Sequence, residues 1–404
     1  MFEVKGKHGS ANIYTDLIDE STISQIQELV NQEFIDGSKV AIMPDCHAGT
    51  GCVIGTTIQI KDKVVPNLVG VDIGCGMLTV NLGKIDIDFE KLDNYIHNFI
   101  PHGHQVNEKV QYKDFPLKDL ICFSELKEKT YLEKSLGSLG GGNHFIEIDK
   151  DEENNYFLVI HSGSRYLGKQ VAEIYQKIAI EYQTNKVFNK KLESSKIIEE
   201  YKKTGKEKEI EKKLKEISNL TVVPKMPKDL CYLEDQDFKN YIHDMEICQN
   251  YATLNRNIMA SKICNFLGLD FNSIEHFETI HNYINMDDMI LRKGAIAAYK
   301  NEIVLIPINM RDGCIVGVGK SCKEYNFSAP HGAGRILSRG EAKFELDLEE
   351  YQETMKGIFT TCVSTSTIDE SPMAYKPLEA IVDNIKDTVD IIKIIKPVYN
   401  FKAN

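Results

Sequence analysis

The chain has 404 residues, 42% of them hydrophobic and 27% charged, which is enough apolar material for a large core and excludes a disordered or fibrous protein. Lys and Arg number 48 against 60 Asp and Glu, and the net charge of −12 excludes loose binding of nucleic acid through a uniformly basic surface, though not a confined basic groove. No apolar run approaches the roughly 18–20 residues of a membrane span, and MFEVKGKHGSANIYTDL lacks the layout of a signal peptide, so a cytoplasmic protein with no membrane association is expected.

In chain order, short β-type runs at 40–43, 52–60 and 64–79 alternate with glycine turns, which predicts sheet carrying function at its turns. A further strand-like run, 156–160, ends in His161-Ser162-Gly163-Ser164-Arg165 and passes into LGKQVAEIYQKIAIEYQ, of helical composition. The chemistry of that unit belongs at the turn. From about 186 to 222 the chain is dense in Lys and Glu, as in KKTGKEKEIEKKLKEISNL, and predicts a solvated helical insertion. Ile247, Tyr251, Leu254 and Ile258 recur at helical spacing and predict an amphipathic helix on the core. Ile381, Ile385, Val389 and Ile392 predict a last helix stopped by Pro397. With no solenoid repeat and no Gly, Ser or Pro-rich linker, one α+β domain over 1–404 is expected.

Ten Cys without a secretion signal read as reduced thiols or metal ligands, and the absence of any CxxC pair argues against a zinc ribbon. His144 in GSLGGGNHFIEI, His161 in VIHSGSR, His281 in ETIHNYI and His331 in SAPHGAGR keep unusual company, three of them beside Gly- or Ser-rich turns. Any one alone is also compatible with a hydrogen-bonded core imidazole. Asp72 and Cys75 in GVDIGCG are three apart around a glycine turn, a spacing that lets both face one cavity. Read alone they fit equally a turn-former and a small buried residue. Carboxylate, thiolate and imidazoles together suit a borderline transition ion rather than Ca²⁺ or Mg²⁺.

The loop from Gly137 to His144 can expose backbone N–H groups to a phosphate, but it is no Walker A and is by itself also a plain turn. In Ala329-Pro330-His331-Gly332-Ala333-Gly334-Arg335, small residues flank an imidazole and an Arg follows, a layout suited to a nucleophilic His meeting a phosphate. Lys402 in NFKAN reads alone as a solvated tail residue. In MPDCHAG, adjacent residues of an extended segment face opposite ways, so Cys46 and His47 do not make an acid–base pair and Cys46 receives no role.

Taken together and in this order, MPDCHAGTGCVIG, GVDIGCGM, SLGGGNHFIEI, HSGSR, HN, SAPHGAGR, DESPMAYK and the near-terminal Lys resemble the RtcB family of RNA-splicing ligases, of bacterial type, over nearly the whole chain. The resemblance implies a single large domain with mixed sheets around a dinuclear metal site, and two Mn²⁺ ions with GTP as cofactors. Asp72, Cys75 and His144 match the ligands of one ion, and Cys75, His161 and His281 those of the second, with Cys75 as the bridge. His331 matches the guanylylated histidine. Asn143, His144, Phe145, Ile146 and Glu147, with His281 and Asn282, match positions around the guanine nucleotide, as do Gly332, Ala333 and Gly334. Lys402 and Tyr375 match a terminal lysine and a tyrosine of the same pocket.

One segment departs from the pattern. Where many members have P-G-S-M-G followed by another Ser, this chain has Pro307-Ile308-Asn309-Met310-Arg311-Asp312-Gly313-Cys314, with Asn309 and Cys314 in the two Ser positions. Asn309 retains hydrogen-bonding capacity and Arg311 offers positive charge, so Pro307, Ile308, Asn309, Met310 and Cys314 are kept as nucleotide candidates.

The implied reaction joins RNA 3′-phosphate or 2′,3′-cyclic phosphate ends to 5′-hydroxyl ends through His331–GMP and an activated RNA 3′-end, in RNA repair or tRNA splicing. Arg165, beside His161, is the candidate for an RNA phosphate. An archease-like activator is left open as a further partner. The competing reading is a metal-dependent cyclic phosphodiesterase that activates water without nucleotidylation, and a third is a non-catalytic RNA-end or metal-binding protein. GTP dependence separates the first from the rest.

Overall fold

The computed structural model describes residues 1–403. Its first strands are Phe2–Lys5 (β1), Ser10–Ile13 (β2), Val40–His47 (β3), Ile54–Gln59 (β4), Gly76–Gly83 (β5), Phe145–Lys150 (β6) and Tyr156–Ser162 (β7). There follow His276–Ile280 (β8), Asn282–Asn285 (β9), Ile290–Lys293 (β10), Ala295–Ala297 (β11), Ile303–Asn309 (β12), Gly313–Gly319 (β13), Ser328–Pro330 (β14) and Val389–Lys402 (β15). Among the described residues they form a six-stranded sheet β1-β2-β3-β4-β10-β9, a seven-stranded sheet β12-β13-β15-β6-β7-β5-β8 and the pair β11-β14. Within the six-stranded sheet β2 runs parallel to β3, whereas β5, β6, β7, β8, β13 and β15 pair antiparallel, so the fold is α+β.

Register, more than any single contact, builds the site. Gly76 stands opposite both Ser162 of β7 and Ile280 of β8, which brings the neighbouring residues Cys75, His161 and His281 to one end of the seven-stranded sheet. Phe145 stands opposite His161 on one side and Lys402 on the other, so the start of β6 and the end of β15 meet at the same place. Beneath this sheet Leu78, Ile146, Ile160 and Phe401 form one apolar cluster. A larger one joins the six-stranded sheet to the helices Arg165–Val187 and Asp235–Phe266 through Ile42, Leu68, Leu167 and Tyr241.

The helix Asp235–Phe266 contains the expected amphipathic stretch, with Tyr251 buried and Ile247, Leu254 and Ile258 packed against the core. The charged segment holds the helices Lys190–Lys203 and Ile210–Asn219, and the first of these buries no residue. Two expectations are corrected. The run 64–79 is not one strand: Pro66 opens the short helix Pro66–Val69, and β5 starts only at Gly76. The last segment is not a helix through Ile392. The helix Leu378–Asn384 ends before Val389, and β15 follows because its Val- and Ile-rich run packs between β13 and β6. Pro397 is tolerated there because pairing with β13 has ended at Ile395 and a register shift falls between Pro397 and Tyr399. No helix of the described residues is long and apolar enough to cross a membrane.

Candidate metal centre and nucleotide cavity

The turn carrying Asp72 and Cys75 closes with Cys75 N donating to Asp72 O at 3.1 Å. Asn282 braces it: its Nδ2 donates to Asp72 O at 3.2 Å, and its carbonyl accepts from Gly74 N at 2.7 Å. The Cys75 Sγ lies 3.4 Å from His144 Nε2 and 3.2 Å from His161 Nε2, and Asp72 Oδ2 lies 2.9 Å from His144 Nε2. The His161 Nδ1 faces the carbonyl of Asn143 at 3.1 Å, which leaves Nε2 for the cluster. The His281 ring stands 5.2 Å from that of His161, and its backbone N donates to Cys75 O at 3.0 Å. A Cβ at 163 or 140 would displace the Asp72 carboxylate or the His144 ring respectively, so glycine at both positions leaves these side chains where they stand.

Burial, helped by the Asp72 charge, pushes the Cys75 thiol well up, so a thiolate here calls for a cation. Burial also holds His161 and His281 well below the usual histidine range, as neutral imidazoles able to ligate. Asp72 is lowered: desolvation opposes this, but the hydrogen bond and charge of His144 prevail. Donors about 2.0–2.3 Å from an ion at tetrahedral angles stand roughly 3.5 Å apart, close to the separations around Cys75. The Asp72 Oδ1, His144 Nδ1 and His281 Nδ1 atoms are buried without a partner. The residues present therefore fit a divalent transition ion.

His331 adjoins this cluster, with its ring 4.9 Å from that of His281. Its Nδ1 is 2.6 Å from Asp45 Oδ2, which also accepts from His331 N at 3.1 Å. Asp45 is fully buried, and its partnership leaves Nε2 as the free ring nitrogen. His331 looks into a cavity of about 250 Å³ lined also by Asn143, Phe145, Glu147, Pro307, Ile308, Asn309, Met310, Gly332, Ala333, Gly334, Tyr375 and Lys402.

Polar groups gather along this cavity. Lys402, only 4% exposed, holds Glu370 Oε2 at 2.9 Å, and the Tyr375 hydroxyl donates to the same oxygen at 2.8 Å. Arg339 Nη1 reaches Glu370 Oε1 at 2.6 Å. Burial works to raise Glu370, but Lys402 and Arg339 overcome it and bring the carboxyl down to about 2. Burial raises Glu147 to about 7, against the pull of an Asn400 hydrogen bond and the Lys402 charge. Asp149, two residues along the same face, is pushed well up by burial and by Glu147.

Several sequence candidates stand elsewhere. Ile146 is buried in the apolar cluster, since the β pleat turns its side chain away from Phe145 and Glu147. Cys314 is buried behind Glu147, grouped with Asp149. Asn282 braces the Asp72 turn rather than lining the cavity. Arg311 is committed to Asp312, 2.8 Å from Nε, and to Thr354, 2.8 Å from Nη1. Asn309 lines the cavity, but its Oδ1 accepts from Arg311 N at 3.0 Å and Asp312 N at 2.9 Å, so it also shapes the turn. Arg165 donates to Gly103 O at 2.6 Å and Ser138 Oγ at 3.2 Å, and it lines a second, wider opening with His104, Tyr131, Tyr166 and Lys169.

Reading the sequence missed Asp45, Arg339, Glu370 and Asn400. Asp45 sat in MPDCHAG, a segment weighed only for Cys46 and His47, and Glu370 in DESPMAYK beside Tyr375. Cys46 is buried in the core, while His47 lines the cavity, as opposite faces require.

A family model described as tRNA-splicing ligase RtcB matches residues 25–122 and 121–403. The chain is 27% identical to the RNA-splicing ligase RtcB of Escherichia coli strain K12, over 90% of each chain. It is 25% identical to the tRNA-splicing ligase RtcB of Methanococcus maripaludis, over 95% of this chain and 92% of that protein. Against the tRNA-splicing ligase RtcB of Pyrobaculum aerophilum it is 26% identical, with 85% and 82% covered.

Proposed function

The chain belongs to the RtcB family of tRNA-splicing ligases, and from that premise we propose that it is a GTP-dependent RNA ligase joining 3′-phosphate or 2′,3′-cyclic phosphate ends to 5′-hydroxyl ends. The observation that carries this reading is the placement of His331: its Nδ1 is held by Asp45, its ring stands beside that of His281, and it lines one cavity together with Glu147, Tyr375 and Lys402.

Asp72, Cys75, His144, His161 and His281 are the residues to hold two Mn²⁺ ions, which when bound supply Lewis acidity to phosphate oxygens. His331 Nε2 attacks the α-phosphorus of GTP, the bond to the β-phosphate oxygen breaks, and pyrophosphate leaves. Asp45 keeps the proton on Nδ1 and steadies the charge on the ring. An RNA 3′-phosphate oxygen, formed by water opening the ring where the end is cyclic, then takes the GMP from His331. The 5′-hydroxyl oxygen, giving up its proton to water, attacks the 3′-phosphate phosphorus, GMP departs with the electron pair, and a 3′,5′-phosphodiester remains. Glu147 as carboxylate suits the guanine edge, whose N1–H and N2–H are donors, and Phe145 and Tyr375 supply aromatic surface. Arg165 and Lys169, at the second opening, suit the RNA backbone.

The test uses two labelled RNAs with these ends, Mn²⁺, and GTP present or absent. A joined product only with GTP is expected. Opening of the cyclic phosphate without GTP and without joining would move the reading to a metal-dependent hydrolase.

A further inference from the structure

Arg256 is fully buried in the helix Asp235–Phe266, behind the metal centre. Its Nη1 donates to Gly74 O at 2.8 Å and to Ser162 O at 2.7 Å. Gly74 immediately precedes Cys75, and Ser162 immediately follows His161. Its Nε donates to Glu278 Oε1 at 2.9 Å, on the strand β8 that ends at Ile280, next to His281. One guanidinium thus grips the three segments that carry Cys75, His161 and His281.

The preceding residue extends the grip to the fourth segment. Asn255 is also fully buried; its Oδ1 accepts from Gly137 N at 2.7 Å and Ser138 N at 3.1 Å, at the start of the glycine loop leading to His144. Its Nδ2 donates to Ser138 O at 3.1 Å and to Gly163 O at 3.2 Å. These four segments are far apart in sequence and share no helix or turn of their own. A buried Arg is poor filling for a core, because apolar residues of the same volume often serve stability as well. A planar fork with several fixed donors, by contrast, suits the fixing of separate carbonyls at set distances.

We propose that Arg256 is a positioning residue of the metal centre: its guanidinium sets the spacing of Cys75, His161 and His281 before a cation arrives, and Asn255 does the same for His144. The proposal rests on the reading of these residues as metal ligands. Without the clamp an arriving cation has to draw the strands together itself, and affinity falls by the roughly 10–100-fold typical of groups that orient metal ligands.

The experiment compares the full-length parent with Arg256→Lys, which keeps the charge and loses the fork, and Glu278→Gln, which leaves the fork and weakens its anchor. Mn²⁺ affinity is read by calorimetry, and the Co²⁺-substituted proteins by their thiolate-to-Co²⁺ absorption band. Expected for Arg256→Lys are an Mn²⁺ Kd raised about 10-fold or more, a displaced Co²⁺ band, and guanylylation restored by excess Mn²⁺. Glu278→Gln shifts the same readouts less far, and it decides the matter if Arg256→Lys does not fold. A lower Tm with unchanged Mn²⁺ affinity and Co²⁺ band overturns the proposal and leaves a packing role. A parent protein binding neither ion overturns the metal reading itself, and the clamp with it.

Discussion

Asp45 Oδ2 lies 2.6 Å from Nδ1 of His331 and 3.1 Å from the backbone N of the same residue, across 286 positions of sequence. Two contacts to one oxygen fix both the ring's orientation and its tautomer. Replacing Asp45 by Asn keeps the shape but removes the charge and puts an NH2 donor in place of one carboxylate oxygen, so the ring is no longer held in one tautomer. The expected result is a fall in His331 guanylylation of up to about 10⁴-fold, as when the carboxylate orienting a catalytic histidine is replaced by its amide. Single-turnover labelling with radioactive GTP measures it, and a near-parental rate would remove Asp45 from the account.

With Glu147 raised to about 7, the proposed GTP binding is expected to depend on pH. If the carboxylate accepts from the guanine edge, GTP affinity rises with pH and levels off above about 7, losing roughly tenfold per unit below it. The groups facing it are Asp149, Cys314, Asn400 and Lys402. Glu147→Gln should flatten the GTP profile between pH 6 and 8, as measured by calorimetric titration. An unchanged slope would assign the dependence to another group.

Glu370 is shifted the other way. Its carboxyl, lowered to about 2, contributes stability that is present above pH 4.5 and is lost as pH falls from there towards 2, at most about 3 kcal/mol. Lys402→Met removes its principal cation. The variant is expected to melt below the parent at pH 7, and the gap to narrow as pH drops from 5 to 3. A constant gap across that window would show that Lys402 acts by packing alone.

Arg165 is expected to matter for RNA and not for the first step. Arg165→Ala should raise the RNA concentration needed for half-maximal joining by roughly 10–100-fold, the loss of one charged hydrogen bond. Formation of His331–GMP should stay at the parental rate. Equal RNA dependence in the two proteins, or a loss of guanylylation, would count against the role.

Asp72, Cys75, His144 and His161 stood out as candidate ligands because each sits beside glycines or serines at a strand end, where local composition marks a turn; His281, in ETIHNYI, lacks such neighbours. Their convergence was not legible, since it depends on Gly76 facing both Ser162 and Ile280, a register that no local pattern encodes. Asp45 escaped for the same reason: its partner lies in β14's following loop, and extended residues between Val40 and His47 offer no periodic sign of which one meets a histidine. The last strand was misread because Ile381, Ile385 and Val389 satisfy a helical period for two turns, while the alternation that follows is obscured by Pro397. Ile146 shows a limit of motif matching, which marks contiguous residues although the pleat sends every second one into the core.

The covalent step on His331 is tested most directly by intact-protein mass after incubation with GTP and Mn²⁺, beside His331→Ala and with ATP in place of GTP. A GMP-sized gain is expected in the parent alone, and only with GTP. A gain in His331→Ala as well, or none in a parent shown to hold its metal, would contradict the assignment of His331 as nucleophile.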